Sequence, residues 1–141
     1  MKVLIASDHA GYELKEQLKE KFGSKFDFED LGTYSTESVD YPDFAHNLAT
    51  KVANDPNQYG VLICGTGNGM AMTANKHANV RAGLCWSKEI SALIRQHNNA
   101  NILVMPARFI PFETAEEIFT TFFSTDFEGG RHQRRIDKIN L

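Results

Sequence analysis

Short apolar runs alternate along this chain with amphipathic stretches, and that alternation limits the possible folds more than any other feature. "KVLIAS" (2–7), "YGVLIC" (59–64) and "NILVMP" (101–106) are apolar at consecutive positions. Strands that alternate apolar and polar residues can face water on one side, whereas continuous runs belong to strands covered on both faces. "FDFEDLG" (26–32) and "VRAGLCW" (80–86) read as two further strands. Helical spacing fills the intervals. Leu14, Leu18 and Phe22 fall four apart within 12–22, with charges between them. Phe44, Leu48 and Val52 share one face of a helix predicted over 42–55 and entered at Pro42. A short helix is predicted over 70–79. Another over 87–99 is capped by Ser87, with Ile90, Leu93 and Ile94 inward. One more covers 111–124, and a last one lies within 134–140. Strand–helix alternation of this kind predicts an α/β fold: a five-stranded, mostly parallel sheet with helices on both faces.

A chain of 141 residues suits one domain with a sizeable core, so residues 1–141 are expected to form a single unit. The marked shift in composition is "STDFEGGRHQRRIDKINL", where Gly129-Gly130 reads as a hinge into a basic C-terminal arm or helix over about 126–141. A formal charge of −3 provides no basic field for nucleic acid. No apolar run approaches the roughly 20 residues of a spanning helix, so no membrane partner is expected. The N-terminal run reads as a first strand and not as a secretory signal. Two cysteines, outside any CxxC pair, suggest free thiols in a reducing cytoplasm.

Ligands of open α/β sheets bind beyond the carboxyl ends of the strands. Asp8 and His9 follow the first run, Cys64 ends the third, Trp86 and Ser87 follow the fourth, and Arg108 follows the fifth. Asp8-His9 could be a strand end or helix cap, or could hold a sugar hydroxyl and an anion. After Cys64 come Gly65, Gly67 and Gly69 at alternate positions, with Thr66 and Asn68 between them. This loop fails the Walker A pattern, and Met70 and Met72 stand where a dinucleotide loop needs glycine. Met70 also occupies the arginine position of a cysteine-phosphatase loop. What remains is a nest of backbone N–H groups suited to developing negative charge, beside a thiol that a helix N-terminus would shift toward thiolate. A lone cysteine ending a strand is more often a core residue, and Cys85 fits that description. At Cys64 the glycines favour chemistry.

His97 continues the face of Ile90, Leu93 and Ile94, so it could be a core or capping histidine. Yet "HNNAN" concentrates polar groups in a short connector. His97 and Asn98 precede a strand and should lie at the edge opposite Cys64. If they act with it, a second subunit must supply them. Arg131 and Arg135, four apart, are either a solvated basic tail or a phosphate clamp that Arg108 and His9 would join.

The pieces "SDHAG", "DLGTYS", "DYPD", "ICGTGNGM", "ANK", "RQHNNAN" and "EGGRHQRR" run in order through nearly the whole chain. Together they resemble the family of type B ribose-5-phosphate isomerases, which also holds galactose- and allose-6-phosphate isomerases. The resemblance implies a Rossmann-like three-layer sandwich, and a homodimer or dimer of dimers with active sites at the subunit interface. It also implies interconversion of ribose 5-phosphate and ribulose 5-phosphate without a metal or other cofactor. Carried over by motif position, Cys64 is the base that moves the C2 proton and Thr66 polarises O1. The N–H groups from Gly65 to Gly69 bind the enediolate. His97 assists ring opening, Asp8 and Asn98 hold sugar hydroxyls, and His9, Arg108, Arg131 and Arg135 bind phosphate. One branch of the family replaces the cysteine and carries a glutamate where this chain has Met70, so the chain resembles the cysteine type, although its "GNG" resembles the other branch. Two alternatives stay open: a hexose-6-phosphate isomerase of the same chemistry, and a non-catalytic sugar-phosphate sensor, which would leave Cys64, Thr66 and His97 without roles.

Overall fold

The computed structural model describes residues 1–141. Its elements are β1 (Lys2–Ser7), α1 (Tyr12–Phe22), β2 (Asp27–Asp30), α2 (Tyr41–Ala53), β3 (Tyr59–Cys64), α3 (Asn68–Ala74), β4 (Ala82–Leu84), α4 (Lys88–Asn98), β5 (Ile102–Pro106), α5 (Phe112–Ser124) and α6 (Arg131–Ile136). The five strands form one sheet in the order β2-β1-β3-β5-β4, and every neighbouring pair is parallel.

The continuous apolar runs have the predicted cause. Along β1, Val3 and Ile5 enter one core with Leu14, Leu18, Phe119 and Phe122 of α1 and α5. Leu4 and Ala6 enter the other, against Ala45, Leu48 and Val52 of α2 and Met70 of α3. Successive strand residues point to opposite faces, so both sets must be apolar. The three layers are α1, α4 and α5, then the sheet, then α2 and α3. An aromatic cluster closes one side, with Phe22 and Phe119 stacked at 4.4 Å.

Several boundaries differ from expectation. β2 and β4 are shorter than the strands predicted from 26–32 and 80–86, because edge strands pair on one side only. α3 begins at Asn68 and ends at Ala74, so Gly69 belongs to the helix. α6 starts three residues before the predicted "RRIDKIN" segment. On α4 the expected inward face is rotated: Leu93 is 42% exposed, while Ser91 and Arg95 are buried. Ser91 Oγ donates to the Ile118 carbonyl at 2.8 Å. The Arg95 guanidinium donates to the carbonyls of Ala100 and Thr125 and to Asn99 Oδ1, so its burial is matched by acceptors.

Lys15 on α1 is fully buried, although its place among charged residues suggested solvent. Its Nζ reaches Asp30 Oδ2 at 2.5 Å, and Lys19 Nζ reaches the same atom at 2.7 Å. Burial alone would raise the Asp30 carboxyl. Hydrogen bonds from Lys15, Lys19 and the Gly32 N–H outweigh it and hold the group below the usual carboxylate range.

Candidate active site

β1 connects outward to β2 on one side, while the following strand, β3, lies on β1's other side. The gap between β1 and β3 is therefore a topological switch point, where the following loops diverge and leave a crevice. Ser7 pairs with Ile63, and the Asp8 N–H donates to the Ile63 carbonyl at 3.2 Å. Asp8 and His9 are thereby set beside Cys64 and its loop.

Asp8 is buried. Its Oδ1 accepts from the N–H groups of Ala10 and Gly11 at 2.9 and 3.1 Å, closing the turn into α1. It thus acts as a turn cap while its second carboxylate oxygen stays available. His9 Nδ1 accepts the Val39 N–H at 3.2 Å. Accepting there requires Nδ1 to be unprotonated, so the ring proton sits on Nε2 and can be donated outward.

The loop after β3 exposes Thr66 and Asn68 while Gly65 and Gly67 are buried. Cys64 is buried against Leu62, Met70 and Val104. The backbone N–H groups of Gly65, Thr66 and Gly67 make no hydrogen bond to protein atoms. Thr66 Oγ1 accepts the Asn68 N–H at 3.2 Å, which leaves the hydroxyl proton free to donate. Gly67 has φ 79°, and a Cβ there would strike Leu84. A side chain is excluded by both conformation and space. A Cβ on Gly65 would lie 3.3 Å from Arg108 Cδ and Nη1, so that guanidinium folds over the loop. The Arg108 N–H donates to the Gly65 carbonyl at 3.0 Å, fixing the two loops together. Cys85, by contrast, is fully buried, and desolvation pushes its thiol up to about 12. It is inert at neutral pH.

One edge therefore gathers Asp8, His9, Cys64, Gly65, Thr66, Gly67, Asn68, Gly69 and Arg108. His97, Asn98, Arg131 and Arg135 are not among them. Cys64 pairs with Pro106 at the carboxyl end of β5, whereas His97 and Asn98 precede its amino end. Four steps of about 3.3 Å put the two edges about 13 Å apart. α6 packs on α4 at this far edge, and its His132 stacks on His97 at 4.4 Å between centroids. Two residues near these sites escaped sequence reasoning. Tyr41 lays its ring against Gly69, and a Cβ there would have to displace that ring. His132 sits beside His97, and its only signal was its position inside "EGGRHQRR".

The family profile described as Ribose/Galactose Isomerase matches residues 3–139. A probable ribose-5-phosphate isomerase B of Mycoplasma genitalium is 48% identical over 140 residues, spanning 97% of this chain and 92% of its own. A crystal structure of a ribose 5-phosphate isomerase from Thermotoga maritima superposes with a TM-score of 0.95 at 51% identity, covering 99% of this chain and 97% of that one. The crystal structure of ribose-5-phosphate isomerase B from Mycoplasma genitalium with bound ribulose-5-phosphate gives 0.94 at 47%, over 98% and 93%. With a profile match over nearly its whole length and near-coincident backbones, this chain belongs to the ribose/galactose isomerase family.

Proposed function

We propose that this protein interconverts ribose 5-phosphate and ribulose 5-phosphate through an enediolate, with Cys64 as the base. The observation that carries the reading is a thiol at the mouth of a loop whose Gly65, Thr66 and Gly67 N–H groups have no protein partner. The bound ketose phosphate of the 47%-identical relative supports the substrate.

Removing the proton at C2 leaves negative charge on the oxygens of C1 and C2. Cys64 takes the proton from one carbon and returns it to the other. The unbonded N–H groups and the Thr66 hydroxyl stabilise the charge as it develops, in a loop whose turn depends on the positive φ of Gly67. Asp8, through its free oxygen, orients a sugar hydroxyl. His9 Nε2–H and Arg108 meet the phosphate, whose binding is remote from the reacting carbons and so can position them. His97 and Asn98 of a second subunit open the ring and hold hydroxyls, and that subunit's Arg131 and Arg135 complete the phosphate clamp. Two observations support such a dimer: the separation of the two groups of residues within one chain, and the exposed apolar side chains of Met72, Trp86, Leu93 and Phe109. No helix is long and apolar enough to cross a membrane, and both cysteines are free, which suits a cytoplasmic enzyme.

The decisive experiment is Cys64→Ser, assayed by isomerisation and by exchange of the C2 proton with solvent. Both should fall by at least about 100-fold, the usual scale for a lost general base. Undiminished exchange would remove Cys64 from the mechanism. Comparing ribose 5-phosphate with allose and galactose 6-phosphates tests substrate length in the same assay.

A further inference from the structure

His97 near the end of α4, Glu128 in the α5–α6 connection and His132 in α6 offer ligand atoms that all lie within 4.8 Å of one another. Main-chain hydrogen bonds hold them there. The Glu128 N–H donates to the Gln96 carbonyl at 3.1 Å, and the His132 N–H to the Gly129 carbonyl at 3.2 Å. The two rings lie nearly parallel, with 14° between their planes. Both present Nε2 to Glu128 Oε1, at 3.9 Å from His97 and 3.6 Å from His132. Those separations are too long for hydrogen bonds. They approach the roughly 3.4 Å edge of a tetrahedron whose metal–ligand bonds are about 2.0–2.1 Å.

We propose that His97, Glu128 and His132 form a reversible binding site for a borderline divalent transition-metal ion of the Zn²⁺ type, and that its occupancy inhibits the isomerase. Two imidazoles and one carboxylate suit zinc, cobalt or nickel, and they exclude magnesium and calcium, which need oxygen ligands. The χ2 torsion of histidine is soft, so modest ring rotations converge the two lone pairs on one ion. In the single chain His97 is 43% and Glu128 53% exposed, which leaves the cluster room for a cation and for a water in the fourth position. Arg131 and Arg135 on the same helix oppose a cation and Glu128 attracts one, so the ion exchanges and is not a resident structural metal. The only other close histidine pair, His46 and His77, is hydrogen-bonded at 2.7 Å and lacks a third ligand. The inhibitory half of the proposal rests on the reading that His97 takes part in the reaction, because a metal-bound imidazole can neither donate nor accept a proton at the coordinated nitrogen.

Co²⁺ added to the metal-free, full-length protein without substrate reads the site independently of activity. Tetrahedral Co²⁺ absorption should appear in the visible, and should be lost in Glu128→Gln and in His132→Asn. Absorption persisting in both variants, or absent from the wild type, overturns the site. A Cys64→Ala control that abolishes it would move the metal to the thiol and overturn the site as well. In the activity assay, micromolar Zn²⁺ should suppress wild-type turnover at least tenfold. Glu128→Gln should retain its metal-free rate and resist inhibition. Co²⁺ binding that depends on Glu128 while Zn²⁺ leaves turnover unchanged retains the site and overturns the inhibitory role of His97.

Discussion

Ser7 Oγ is the one buried side-chain polar atom without a hydrogen-bond partner. Ser7 is fully buried at the end of β1, on the face shared with Val3 and Ile5 and so opposite Cys64. An unmade hydrogen bond at such a site costs about 1–3 kcal/mol. Ser7→Ala should therefore stabilise the protein by about 1 kcal/mol in urea unfolding, with kcat unchanged. A destabilised variant would show that the hydroxyl is satisfied. His77 gives a second residue-level test. Burial, and then the neighbouring His46, hold its pKa below the ordinary 6.5, so the fold favours the neutral ring. A depressed pKa contributes stability above the unfolded value and loses it as pH falls through the folded one. The urea midpoint should drop on going from pH 7.5 to pH 5.5, and His77→Asn should flatten that drop. At this scale, the Cys64 loop was legible in the sequence because apolar runs and glycines act locally. Asp8 was half legible, since its capping bonds to Ala10 and Gly11 use one oxygen only. The Leu93 and Arg95 reversal was not, because the acceptors that allow Arg95 to be buried come from Asn99, Ala100 and Thr125.

Among the elements, α1 and β2 depend on a feature that no periodicity reveals. Charged residues between Leu14 and Leu18 look like a solvated helix face, yet Lys15 is inside, with its Nζ 5.3 Å from the Tyr12 ring and 5.4 Å from the Tyr34 ring. Its partner Asp30 ends β2 and accepts the Gly32 N–H at 2.8 Å, so the pair fixes where the loop toward α2 begins. Breaking a buried ion pair by removing one partner costs about 3–5 kcal/mol. Lys19 still faces Asp30, so Lys15→Met should cost about 3 kcal/mol, at the lower end of that range. Lys15→Met with Asp30→Leu should recover part of the loss, because no uncompensated charge is then buried. Guanidinium unfolding of the single and double variants checks both expectations. A single variant as stable as the wild type would show that Lys19 alone satisfies Asp30. The strands were legible for the opposite reason: burial on both faces leaves an unbroken apolar run, which a one-sided helix or strand does not require.

For the whole molecule, the sheet fixes which functional groups one chain can bring together. Cys64, Thr66, Asp8, His9 and Arg108 stand at the carboxyl edge, while His97, Asn98, Arg131 and Arg135 stand at the amino edge. No side-chain rotation spans roughly 13 Å of sheet. The sequence showed this conflict from chain order alone, but could not show that His132 and Glu128 join His97. The proposed two-fold dimer would resolve the conflict by pairing each carboxyl edge with the other subunit's amino edge, and it makes a quantitative prediction. Cys64→Ala and His97→Ala should each be nearly inactive alone. In an equimolar mixture, random reassortment makes half of the dimers mixed. Each mixed dimer has one site lacking both groups and one site with both intact, so roughly a quarter of wild-type activity should return. Sedimentation would establish the dimer, and native mass spectrometry with one tagged variant would establish the mixing. A mixture containing verified mixed dimers with no gain over the separate variants would place each active site within a single chain. His97 would then have no catalytic part, whatever metal it binds.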